Sequence, residues 1–171
     1  IGACVFLMTG NRVVTVAVTA SAAFIGFFYF RFNHPVYFNL TYAPWVFYGY
    51  LQWVRTIELN RKSGLYRWWA LPIAGIFVAS VLHLFGGTPK EGIILFGALH
   101  VAGLTGVTIA SYSSRDLFRN VGCLLLLWIA IALAAAPHWL IFLDTLSKVS
   151  TTYDFPNCNF ASRPWQFVDT L

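Results

Sequence analysis

Residues 93–112 and 121–142 contain no Lys, Arg, Asp or Glu. At a rise of about 1.5 Å per residue, each run makes a helix about 30 Å long, the thickness of a bilayer's hydrocarbon core. That pair of runs leaves few ways to fold. In lipid, every backbone N–H and C=O must be bonded within the structure, so only helices and closed barrels can cross. In water, the same two helices would need a large polar shell around them. The composition does not supply it. Of the 171 residues, 58% are apolar and 10% charged, whereas a soluble domain carries roughly a quarter. Seven Trp, eight Tyr and sixteen Phe agree, because amphipathic rings settle at the membrane–water boundary.

The expected fold is therefore all-α: a polytopic transmembrane helical bundle of about five spans over residues 1–143, with short loops and a polar tail at 144–171. The charge-free runs place the spans at 13–30, 38–54, 68–85, 93–112 and 121–142. Arg12 and Arg31 bracket the first. Pro44 and Gln52 interrupt the second, which starts near Phe38. Residues 55–67 hold Arg55, Arg61, Lys62 and Arg67 against a single Glu58 and read as an exposed loop. Residues 113–116 read as another. The match of Asn39-Leu40-Thr41 to a glycosylation acceptor is a chance one beside a membrane segment. Five spans put Arg12, Arg55, Arg61, Lys62, Arg67, Arg115 and Arg119 on one side, and Arg31, Lys90, Lys148 and Arg163 on the other. Positive residues resist translocation, so the first group should face the cytosol, or the matrix in an organelle.

Several function classes drop out. The net charge of +5 comes from cations scattered between apolar runs, which fix orientation and do not imply nucleic acid. Cys4, Cys123 and Cys158 have neither metal-ligand spacing nor the look of a disulfide framework. The chain shows no paired carboxylates and no nucleophile set beside a base. No signal peptide with a cleavage site is expected in these residues.

The most informative polar residue is His100. It lies eight residues past Gly92, hence about 12 Å into the membrane. On the same helix, Ala98, Ala102, Gly106 and Ala110 recur every four residues. In lipid such a stripe lets two backbones approach closely, and Ala130, Ala134, Ala135 and Ala136 make residues 121–142 its expected partner. At 100° per residue the stripe centres about 140° from His100. His100 should therefore face a cofactor, another chain or a hydrogen-bond partner on a different helix, because a polar ring against lipid at that depth is expensive. Imidazole is a standard axial ligand of haem iron, which makes His100 the candidate metal ligand. The plainer reading is a histidine bonded across helices. His83, near a helix end, reads as interfacial and water-bonded, and His34 beside Pro35 as a loop residue. His138 lies at a depth similar to His100 on the same side, yet neighbouring axes only about 8–10 Å apart leave little room for haem between two helices of one chain. At the other end of the helix, Ser111, Tyr112, Ser113, Ser114, Arg115 and Asp116 form a polar cluster. It reads either as a place where hydroxyls and a guanidinium bond a quinone's carbonyls, or as ordinary interfacial anchoring.

At these residues the chain resembles a known family. Leu99-His100, then Tyr112 twelve residues after the histidine, then Asp116, is similar to the small membrane-anchor (cytochrome b) subunit of succinate dehydrogenase, over residues 67–142. That resemblance implies a haem-ligating role for His100, a quinone-site role for Tyr112 and its neighbours Ser111, Arg115 and Asp116, and a three-helix core at 68–85, 93–112 and 121–142. It implies haem b and ubiquinone as cofactors. Ser111 stands where the family has Asp, and the two helices before Arg55 have no counterpart.

The expectation that follows is a membrane-anchor subunit of a respiratory-chain complex, not catalytic alone, that helps bind haem b or quinone for electron transfer. Its partners would be the lipid bilayer and other subunits of the complex, in a mitochondrial or bacterial inner membrane. A cofactor-free accessory subunit of a larger membrane complex is the alternative, and a small transporter is a third. Transport leaves ionisable residues or broken helices near the midplane, and only Pro44, Pro137, His100 and His138 qualify.

Overall fold

The computed structural model describes residues 1–23, 36–63, 70–86 and 89–148. Their regular structure is entirely helical: α1 (Gly2–Thr9), α2 (Arg12–Ala23), α3 (Val36–Ser63), α4 (Ala70–Phe85), α5 (Pro89–Ala110) and α6 (Ser114–Lys148). They fall into two compact units, Ile1–Ala135 and a second that begins at Ala136.

The chain opens with a helix that no expectation included. α1 stops at Gly10, whose φ of 65° is left-handed and whose N–H donates to the Phe6 carbonyl at 2.8 Å. Only glycine adopts that conformation without a Cβ penalty. Asn11 then caps α2, its side-chain oxygen accepting from Val13 N at 2.9 Å and Val14 N at 3.2 Å. α2 packs back on α1, where a Cβ on Gly2 would lie 2.7 Å from Thr19 Oγ1. The expected span at 13–30 coincides with α2 as far as Ala23, and its remainder lies outside the described residues.

α3 runs for 28 residues. It covers 38–54 as expected but continues as helix through residues 55–63, where a loop was expected. Arg, Glu, Leu and Lys are strong helix formers, and no Gly or Pro occurs between Pro44 and Ser63 apart from Gly49. Arg61 and Lys62 in the last turn also favour the helix, since its C-terminus carries partial negative charge. α6 likewise starts earlier than expected, inside the polar stretch at 113–116. The Ser113 hydroxyl accepts from Asp116 N at 3.1 Å and donates to the Asp116 carboxylate at 2.8 Å. This reciprocal pair satisfies a first-turn N–H and nucleates the helix. Only residues 111–113 remain between α5 and α6.

Inward faces follow helical spacing: Ala43, Val46, Tyr50 and Trp53 on α3; Ile76, Ala79, Ser80 and His83 on α4; Leu124, Leu127, Ile131 and Ala135 on α6. Two glycines let backbones approach. A Cβ on Gly49 would fall 2.5 Å from Ile76 Cγ1, and one on Gly103 would fall 2.5 Å from the Tyr50 ring. α5 therefore packs on α3 through Gly103 and Gly106, the latter facing Val54, and Ala98 and Ala102 are exposed. This corrects the expected pairing of the small-residue stripe with residues 121–142. The aromatic ring of Tyr50 needs a bare backbone to lie on, and Gly103, outside the stripe, supplies it.

Among the described residues, α5 and α6 contain the two segments long and apolar enough to cross a membrane, Gly92–Ala110 and Ser114–Asp144, of which only 17% and 22% is buried. A core helix of a soluble protein would be mostly buried. α2 and α4 are apolar but shorter. Within the second unit, His138, Trp139 and Phe142 form a series of edge-on ring contacts at 6.0 and 5.8 Å.

Candidate functional site

One imidazole gathers side chains from four helices. His100 on α5 is 3% exposed. The Tyr50 hydroxyl from α3 lies 2.6 Å from its Nδ1. Trp128 on α6 donates its indole N–H to the same Nδ1 at 2.9 Å, and lies 3.5 Å from the Tyr50 oxygen. Ser80 Oγ on α4 lies 3.2 Å from Nε2. Helix geometry sets up these meetings. Tyr50 lies flat on α5 at Gly103, one turn from His100, so its hydroxyl ends at the imidazole edge. Phe96, one turn before His100, covers the ring face at a centroid distance of 4.0 Å. Tyr50 and Trp128 meet it edge-on at 5.5 and 5.9 Å.

The partner set assigns the tautomer. An indole N–H can only donate, so the Nδ1 it faces is an acceptor and the proton sits on Nε2, which donates to Ser80. The Tyr50 hydroxyl and the indole share the Nδ1 lone pair. The ring is neutral, saturated with partners and shut away from solvent.

These residues, so arranged, do not fit an axial haem ligand. A metal on Nδ1 would have to displace both Tyr50 and Trp128. One on Nε2 would displace a proton and Ser80, in a space already filled by side chains of four helices. Among the described residues, no three His, Cys, Asp or Glu side chains gather where they could hold a metal ion.

His83 departs from its expected place. It is fully buried, and its Nε2 donates to the Gly92 carbonyl at 2.9 Å, joining α4 to α5 where an interfacial, water-bonded ring was expected. His34 lies outside the described residues. The polar cluster forms the corner between α5 and α6. Ser111 donates to the Val107 carbonyl at 2.8 Å and accepts from Asn120 Nδ2 at 2.9 Å. Asp116 is engaged by Ser113 and by Arg119, the latter at 2.9 Å. Tyr112 is 72% exposed, and Arg115 is exposed. So Ser111 and Asp116 hold the turn, whereas Tyr112 and Arg115 project from it.

No family model, curated protein or solved structure matches this chain.

Tyr50, Ser80, Trp128 and Asn120 are not among the residues expected above. Two of them carry a legible signal. Trp128 has the only side-chain N–H in residues 121–136, and Ser80 and His83 are the only polar side chains of α4. A lone donor in an apolar helix needs a partner, and His100 is the polar residue deep enough to be one.

Proposed function

We propose that this chain is a structural subunit of a larger membrane assembly and carries no redox cofactor of its own. The observation that carries this reading is the closure of His100 by Tyr50, Ser80 and Trp128. The His100 imidazole acts as a polar tie between helices. In lipid, burial of apolar groups drives no helix association, so such ties and close backbone contacts hold the bundle. Two further observations support it. Large apolar side chains point outward, among them Leu71 at 81%, Ile109 at 80% and Leu133 at 70% exposed, which suits acyl chains as surroundings. Ala98 and Ala102 leave a flat outer strip on α5 that a helix of another subunit can approach closely.

The electron-transfer reading, with haem b at His100 and ubiquinone at Tyr112 and Arg115, asks the imidazole to give up either Tyr50 and Trp128 or Ser80. Purification of the tagged chain in mild detergent distinguishes the two. The structural reading expects co-purifying chains, resistance to alkaline carbonate extraction, and a reduced-minus-oxidised spectrum with no b-type band assignable to this subunit. A b-type band that vanishes in His100→Ala, while the assembly survives, overturns it.

A further inference from the structure

A second feature lies on the other side of α3, away from His100. α3 and α4 enclose an open cleft of about 670 Å³, within the range of small-molecule sites. On α3 it is lined from Tyr42 and Trp45 through Tyr48 and Gly49 to Gln52 and Thr56. On α4 it follows Leu71, Gly75, Val78 and Leu82.

Its polarity is graded. Gly49 meets Pro72 and Ile76, which sets Tyr48, Gln52 and Thr56 beside the start of α4. Tyr42 and Trp45 then lie toward Val78 and Leu82. At the first end, the Gln52 amide donates to the Tyr48 hydroxyl at 2.7 Å, and Thr56 donates to the Gln52 carbonyl at 2.8 Å. The Tyr48 hydroxyl accepts there, so its own proton is left to point onward, with no acceptor among the described residues. The second N–H of the Gln52 amide is in the same position. Two neutral donors line that end, and no charged side chain lines the cleft. The complement is an uncharged carbonyl oxygen followed by an apolar chain.

Length narrows the occupant further. From Gln52 to Tyr42 is ten residues, about 15 Å along the helix, which is half of a hydrocarbon core about 30 Å thick. Gln52 is three residues before Arg55, the first charged residue of α3. With α3 crossing, as the five-span expectation has it, Gln52 lies about 4.5 Å inside the charged boundary, at the level where the ester carbonyls of bilayer lipids sit.

We propose that the α3–α4 cleft binds one acyl chain of a membrane glycerolipid, its ester carbonyl accepting from Tyr48 and Gln52 and its chain lying along Trp45, Val78 and Leu82. This rests on the membrane reading above, and the test separates the two. A glycerophospholipid with a photoactivatable acyl chain is reconstituted with the full-length chain, and crosslinks are mapped by peptide mass spectrometry. Gly75 offers a clean block: nothing lies within 4 Å of a Cβ placed there, so Gly75→Leu fills the cleft without disturbing α4. Gly97→Leu, equally open but on α5, is the control.

The expected result is crosslinking concentrated at Trp45, Val78 and Leu82, lost by about tenfold or more in Gly75→Leu and unchanged in Gly97→Leu. Tyr48→Phe with Gln52→Leu should weaken it by about fivefold per donor removed. Crosslinks spread evenly over the outer faces and indifferent to Gly75→Leu overturn the cleft site, even if the protein resists carbonate extraction. Retention there of a neutral ring carbonyl on an isoprenoid tail, instead of a glycerolipid, overturns the acyl-ester assignment. Release of the protein by carbonate overturns the membrane reading and the lipid site together.

Discussion

His100 is best understood through what it would leave behind. Truncation to Ala strands the Ser80 hydroxyl, the Tyr50 hydroxyl and the Trp128 indole around a void. Interhelical hydrogen bonds in membranes contribute roughly 0.6–2 kcal/mol each, and cavities add to that. His100→Ala should therefore destabilise the bundle by about 2–4 kcal/mol, read as a lowered unfolding midpoint in detergent. Trp128→Phe keeps an aromatic ring but removes the donor and part of the indole's volume, so it should cost about 1–2 kcal/mol. No cost from Trp128→Phe would mean that the indole bond contributes nothing and that His100 is held by packing. Cys4 makes a separate case at the other end of the chain. Its thiol is buried and donates to the Pro44 carbonyl at 3.3 Å, and burial pushes its pKa up. A raised thiol pKa keeps the unreactive protonated form to higher pH. Alkylation of Cys4 should thus be slow at neutral pH and accelerate on unfolding, as mass-resolved labelling would show.

Among the helices, the closest fit is that of α5 on α3. Gly103→Ala would push a Cβ to within 2.5 Å of the Tyr50 ring, and overpacking of this kind costs about 1–3 kcal/mol. Ala is favoured over Gly in a helix by about 1 kcal/mol. The paired variant Gly97→Ala, with nothing within 4 Å, should show only that gain. Opposite shifts in thermal midpoint are expected from two identical substitutions six residues apart. At the start of α6, Ser113→Ala removes the hydroxyl that pairs with Asp116 and should cost about 1 kcal/mol. It should also loosen the corner from which Tyr112 and Arg115 project, measurable as faster amide exchange at the first turn of α6.

For the molecule as a whole, the apolar outer surface sets which surroundings it needs. If α5 crosses a membrane, Gly86 and Arg115 lie on opposite sides of it. Gly86→Cys and Arg115→Cys, in a background with the native cysteines changed to Ser, should label from opposite sides with a membrane-impermeant maleimide. Labelling of both from one side would show that α5 does not cross.

The apolar runs at 93–112 and 121–142 were legible in the sequence because apolar composition is a local property, written residue by residue. The same holds for His100 as a buried polar group, since its depth follows from spacing alone. Helix ends were less legible. Residues 55–63 are polar yet helical, because polarity marks exposure and not the end of a helix. Of what His100 touches, Ser80 and Trp128 leave a trace as lone polar groups in apolar helices, but Tyr50 and the meeting of all three at one ring do not. Tyr50, Ser80 and Trp128 are 50, 20 and 28 residues away, and their convergence depends on Gly103 letting α3 settle against α5. Sequence spacing gave the angle of the imidazole about its own helix. Only the packing of four helices supplied the donors and acceptors that meet it, because hydrogen-bond partners across helices are chosen by backbone approach, which no single helix encodes.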